Sequence, residues 1–188
     1  SFMQPDLAEV VAKRLPYDVI IGSVHSIVDP ISKKPLGLHG AKEFSEENMY
    51  QYMGAYYDCM RIMIDVLDFD ILAHMTCPLR YITGKYGINV DLSAFDGKIT
   101  EILKAIINKG IALEVNTSGY AAIKESVPGK EILKKYFDMG GYLITLGSDA
   151  HIAENAAYCF DKAIGALKEI GFKNIYYYKG RKVHQINI

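Results

Sequence analysis

Four short apolar runs, at residues 18–25, 69–75, 111–117 and 142–148, constrain this chain more than any other feature. Each is rich in β-branched residues or leucine and lies near a Gly, Asn or Asp, the pattern of a strand buried on both faces. Helix-like stretches separate them: 45–67, opened by a Ser45 cap, then 97–108, then 129–139, which stops at Gly140-Gly141. A further helix is expected over 153–170, stopped by Gly171, and strands over 174–178 and 182–188, with Tyr176-Tyr177-Tyr178 as strand packing. Such alternation specifies an α/β fold around a parallel sheet and leaves open whether it is doubly wound or rolled into a barrel.

With 50% hydrophobic and 23% charged residues, the 188-residue chain can bury the core of one globular domain. Its 21 Lys and Arg balance 22 Asp and Glu, so no overall field draws it to nucleic acid or to an acidic membrane surface. No apolar run approaches the roughly 20 residues that cross a bilayer, and Ser1-Phe2-Met3-Gln4 lacks the parts of a signal peptide. Cys59, Cys77 and Cys159 form no CxxC pair, and a reducing, cytoplasmic setting is expected. No GxGxxG or GxxxxGK[ST] loop follows the first strand, which weighs against nucleotide binding.

Four side chains able to bind a metal fall at or just past three strand ends: His25, His74, Asp149 and His151. In parallel βα architectures function gathers at those ends. Strand alternation puts Val19, Ile21, Ser23 and His25 on one face, likewise Asp70, Leu72 and His74, and likewise Leu143, Thr145, Gly147 and Asp149. If all three faces point inward the donors converge, and the spacing of Asp149-Ala150-His151 lets two donors reach one small volume. Taken singly, each histidine reads as a hydrogen-bonded core or loop residue, and Asp149 as a cap for the following helix. His39 and His184 lack partners at metal spacing, and Cys77, before Pro78, reads as packing.

The segments Asp18-Val19-Ile20-Ile21-Gly22-Ser23-Val24-His25, Asp70-Ile71-Leu72-Ala73-His74, Leu113-Glu114-Val115-Asn116-Thr117-Ser118-Gly119 and Thr145-Leu146-Gly147-Ser148-Asp149-Ala150-His151 resemble PHP-type histidinol-phosphatases in order and spacing. The likeness runs from about Asp18 to the end. It implies a distorted (β/α)7 TIM-like barrel with two or three Zn, Mn or Fe ions at the strand ends, His25, His74, Asp149 and His151 among their ligands. It also implies hydrolysis of L-histidinol phosphate to histidinol and phosphate, a step of histidine biosynthesis. The family opens with a His-x-His strand, another histidine and a glutamate, and none of these precedes His25. Residues 1–188 are therefore expected to be a single-domain fragment, a partial barrel lacking the first strands and impaired in activity. Its open strand edges are expected to support a homodimer or strand exchange.

Arg80, six residues after His74 and expected in a loop, is the first candidate for the phosphate, since a guanidinium holds two oxygens at once. The family commonly carries an arginine after Asn-Thr-Ser-Gly, where this chain has Tyr120 and Ala121, leaving Lys124 as the nearest cation. Asn116 is placed to orient a water or the substrate, with Glu114 in a supporting or purely structural role. Bound metal would polarise phosphoryl oxygens and lower a water pKa from about 15.7 to about 7, for in-line attack on phosphorus by a bridging hydroxide. The alternatives are a PHP phosphoesterase acting on another monoester or a nucleotide, and a metal-binding or assembly module without catalysis.

Overall fold

The computed structural model describes residues 5–38 and 44–188. His39 and Ser1-Phe2-Met3-Gln4 lie outside the described residues. Four strands, β1 (Ile21–Gly22), β4 (Ile71–Leu72), β5 (Ala112–Asn116) and β6 (Ile144–Gly147), form one sheet in the order β1-β4-β5-β6, every pair parallel. Among the described residues neighbours in this sheet follow chain order with no reversal. The expected runs are longer than these strands, yet their flanks still pair: the Asp70 amide donates to the Ile20 carbonyl at 2.8 Å and the Ala73 amide to Gly22 at 2.9 Å.

Helices cover the sheet where apolar residues recur at helical spacing. α2 (Met49–Val66) buries Met49, Met53, Tyr56, Tyr57, Met60, Met63 and Ile64. It packs on α4 (Asp96–Lys109), which turns Ile99, Ile102, Leu103 and Ile106 inward. α6 (Lys130–Asp138) and α7 (Phe160–Ile170) pack on each other and bury Ile132, Leu133, Tyr136, Ala163 and Leu167.

Several expectations need correction. α2 starts four residues after Ser45, because Ser45 and Asn48 bond each other's backbone amides in a turn. α7 begins at Phe160 rather than 153: a short 3-10 turn, Ala153–Asn155, comes first, and left-handed backbone at Ala157 and Cys159 interrupts the path. The chain also contains α1 (Pro5–Arg14), the hairpin of β2 (Ser26–Val28) with β3 (Pro35–Gly37), α3 (Leu79–Ile82) and α5 (Gly119–Ile123), all too short or too polar to stand out by periodicity. Among the described residues no helix is long and apolar enough to cross a membrane.

β7 (Asn174–Lys179) and β8 (Lys182–Asn187) form an antiparallel hairpin that lies against β6, and its Tyr177 stacks on His184. Gly180 and Arg181 both have positive φ, 55° and 58°, the geometry of a tight two-residue hairpin turn. That tip docks at the amino ends of β1 and β4. The Gly180 amide donates to the Asp18 carboxylate at 2.8 Å, and the Arg181 guanidinium engages Asp70 and Asp68. Arg181→Ala is expected to cost about 1–2 kcal/mol, most of the pair being screened by solvent. It should speed amide hydrogen exchange at residues 180 and 181 more than in the core; unchanged exchange there would show that the tip is held by backbone alone.

Candidate metal and phosphate site

The carboxyl ends of the four parallel strands bring together two pairs of the expected residues. His25, exposed and three residues beyond β1, faces the buried His74 just past β4, with Nε2 to Nε2 3.1 Å apart. Past β6, the Asp149 carboxylate forms a salt bridge with Arg80. His151 is exposed, and its Nδ1 lies 2.9 Å from the Asp149 carbonyl oxygen, so it does not join the histidine pair. Strand alternation does not place these groups. β4 ends at Leu72 and β6 at Gly147, and both His74 (φ 29°) and Asp149 (φ 53°) adopt left-handed backbone that reorients the side chain. Among the described residues Asp149 caps no helix: Ile152 and Cys159 stand at the N-caps of the elements that follow it.

Arg80 sits in α3 rather than in a loop, its side chain 14% exposed. Nη1 donates to Ser118 Oγ at 2.7 Å and to Asp149, and Nη2 to Cys77 Sγ at 2.9 Å, while Nε is buried without a partner among the described residues. Burial works against its charge, but the Cys77 sulfur and the Asp149 carboxylate more than offset this and hold the guanidinium above its usual pKa. Burial likewise opposes the charge of Asp149, yet Arg80 keeps that carboxyl below its ordinary value. The two form a compact, charged, partly desolvated pair, the form in which ionic hydrogen bonds are strongest.

Asn116, 1% exposed, is occupied by the protein itself. Its Nδ2 donates to Glu114 Oε2 at 3.1 Å, and its Oδ1 accepts from Ser118 Oγ at 2.6 Å and from the Ser118 amide at 3.1 Å. Asn116 therefore aims Ser118 at Arg80. Lys124 is exposed at the end of α5, and no bond among the described residues ties it to Arg80, Asn116 or Asp149. His184 is stacked in the hairpin, away from these residues. Cys77 is not beside the histidines as a ligand but under the guanidinium. Sequence reading missed Ser118 and Tyr56; only Ser118 had a signal, since Asn followed two residues later by Ser is a frequent side-chain turn.

Among the described residues no group of three or more His, Cys, Asp or Glu stands close enough to hold a metal ion. The histidine pair nonetheless fits as part of one. Two imidazole nitrogens bound at about 2.0–2.1 Å to a tetrahedral ion lie about 3.3–3.4 Å apart, close to the 3.1 Å seen. Burial, then Arg80 and His25, push the His74 pKa down to about 4, so the ring is neutral at pH 7, the state a metal needs. Asp149 would add a carboxylate only on leaving Arg80.

No protein-family model matches the chain. It is 30% identical over 118 residues to a probable histidinol-phosphatase of Thermotoga maritima, covering 63% of this chain and 48% of that protein. It is 29% identical over 174 residues to a histidinol-phosphatase of Lactococcus lactis, covering 89% of this chain and 61% of that one. The chain thus spans about half to three-fifths of the length of these curated relatives. Among solved structures it resembles histidinol phosphate phosphatase of Lactococcus lactis, complexed with Zn, L-histidinol and phosphate, at TM-score 0.75 and 24% identity over 98% of this chain and 68% of that one. A putative histidinol phosphatase of Listeria monocytogenes matches at TM-score 0.67 and 17% identity over 84% of this chain and 63% of that one. The chain has a fold like that of the Lactococcus lactis histidinol phosphate phosphatase.

Proposed function

We propose, with that fold as premise, that this chain carries part of a metal-dependent phosphatase hydrolysing L-histidinol phosphate to histidinol and phosphate. The observation that carries the reading is the meeting, at one end of a parallel sheet, of the His25–His74 pair with a half-buried, forked arginine that a carboxylate already occupies. The chain-order sheet supports a sector of a (β/α)7 barrel, with the chemistry at its strand ends. The cysteines Cys59, Cys77 and Cys159 are all free, in keeping with a reducing, cytoplasmic setting.

In this reading His25 and His74 would supply nitrogen donors for a divalent ion, zinc, manganese or iron, one of two or three in a cluster, and His151, apart from the pair, would reach a different ion. That ion, when bound, polarises the phosphoryl oxygens and lowers the pKa of a bound water. Arg80 holds the ester: an arriving phosphate exchanges with Asp149 on the guanidinium, and the released carboxylate would be available as a further ligand for the ion. Ser118 keeps Nη1 aimed during the exchange, and Asn116 keeps Ser118 aimed. Lys124 serves as a second, looser phosphate contact from the end of α5.

Two imidazoles make a weak site by themselves, so metal affinity and turnover of the isolated chain should be low. Among the described residues β1 is an edge strand of its sheet, and its Ile21, 52% exposed, lines a cavity of about 660 Å³ with Ala8 and Ala12 of α1, while Leu7, Val10, Val11 and Leu15 on and beside that helix are exposed. That apolar edge supports self-association of the chain. The test is elemental analysis of the purified chain with phosphate release from L-histidinol phosphate and from other monoesters, with and without zinc or manganese, and light scattering of the same sample. Metal-dependent release favouring the histidinol ester, from a dimer, is expected. Equal release from every ester would point to another phosphoesterase, bound metal without release to a non-catalytic module, and a monodisperse monomer would overturn the self-association.

A further inference from the structure

His74 adopts left-handed backbone, φ 29°, which a β-carbon disfavours, and it does so where β4 stops. Both of its peptide groups are held by buried side chains from elsewhere in the fold. Its amide donates to Glu114 Oε2 at 2.8 Å, and its carbonyl accepts from the Tyr56 hydroxyl at 3.2 Å. Glu114 is 8% exposed on β5, and Tyr56 is fully buried on α2. A buried carboxylate with no cation bonded to it is costly unless it satisfies donors, and Glu114 has two: the His74 amide and Asn116 Nδ2 meet on the same oxygen. The other oxygen passes over Gly147, where a β-carbon would lie 2.0 Å from Glu114 Oε1, so β6 leaves the space this carboxylate needs.

We propose that Glu114 is a positioning residue of the site, with Tyr56 as its counterpart: together they hold the His74 backbone in the turn that brings its imidazole against His25. Through Asn116 and Ser118 the same carboxylate oxygen is tied to the line that ends on Arg80, so one residue sets both the metal-binding and the phosphate-binding sides. The proposal rests on the metal reading of the histidine pair for its consequence, but not for its geometry.

Because both donors converge on one oxygen, glutamine can replace Glu114 and still accept both, whereas leucine cannot. The experiment is zinc titration calorimetry of the parent chain, Glu114→Leu, Glu114→Gln and Tyr56→Phe, with imidazole nitrogen NMR of each metal-free protein. Supporting residues of this kind change metal affinity about 10–100-fold. Glu114→Leu is therefore expected to weaken zinc binding by that factor, Tyr56→Phe by about fivefold, and Glu114→Gln to stay within about threefold of the parent. The ring signals of His25 and His74 should move in the leucine and phenylalanine variants, with those of His151 and His184 in place. If Glu114→Leu does not fold, Tyr56→Phe carries the test alone. Glutamine as damaging as leucine would overturn the proposal in favour of a bare charge effect, and unmoved rings in both loss variants would overturn it outright. A parent chain that binds no zinc while its ring signals still respond would support the positioning role and sink the metal assignment.

Discussion

Arg80→Ala should weaken binding of inorganic phosphate and of the phosphate ester by about 30-fold or more, while zinc binding tightens several-fold. Truncating one member of a buried, hydrogen-bonded charge pair typically costs about 2–5 kcal/mol, and the lower end of that range, suited to this half-buried pair, sets the first figure. The second follows from the partner. Asp149 is paired with the guanidinium, so removing Arg80 frees a carboxylate beside His74 and removes a positive charge that repels a dication. Opposite movement of the two affinities is the signature to look for in paired titrations with phosphate and with zinc. A parallel loss of both would mean that Arg80 merely props the loop, and unchanged phosphate affinity would remove it from the substrate site. Arg80→Lys should recover little, because an ammonium cannot reach Ser118, Asp149 and Cys77 at once as the planar fork does.

Gly147→Ala should be among the most damaging single-methyl changes in the chain, lowering stability by about 3 kcal/mol and the melting temperature by roughly 6–12 °C. The added carbon would fall 2.0 Å from Glu114 Oε1 and 2.8 Å from its carboxyl carbon, inside the contact distance of any real side chain. Relief requires moving a buried carboxylate that two donors hold, so strain and lost hydrogen bonds add together. Thermal melts of the parent and of Gly147→Ala, with Gly97→Ala as a control at a glycine whose β-carbon would meet nothing within 4 Å, separate steric conflict from any general intolerance of alanine. A melting temperature for Gly147→Ala equal to that of the control would show that Glu114 is free to move.

The two expectations draw on the same physical fact: the site is a chain of buried and half-buried polar contacts in which each residue already has a partner. The line from the His74 amide through Glu114, Asn116, Ser118 and Arg80 to Asp149 joins three strand ends with no gap. Networks of this type are rigid when complete and costly when broken, because every broken link leaves a buried donor or acceptor unpaired. Ligand binding at such a site proceeds by exchange of partners.

Much of this was legible in the linear chain. The four apolar runs, the helices between them and the terminal pair of strands follow from hydrophobic periodicity and turn residues, which act over a few residues and need no knowledge of the partner. The same holds for the placing of His25, His74 and Asp149 at strand ends, since a strand ends where its apolar pattern ends. Tertiary structure decided which way those side chains face. Left-handed turns at His74 and Asp149 cancel the alternation that a continuing strand would have imposed, and the turn at His74 is bonded by Tyr56 and Glu114, which lie 18 and 40 residues from it along the chain. It also decided that Arg80 binds Asp149, 69 residues away, and that His151 stays apart. Local pattern sets elements because backbone preference is local; the site is set by polar groups seeking partners in a crowded interior, and those partners are chosen only when the strands are side by side.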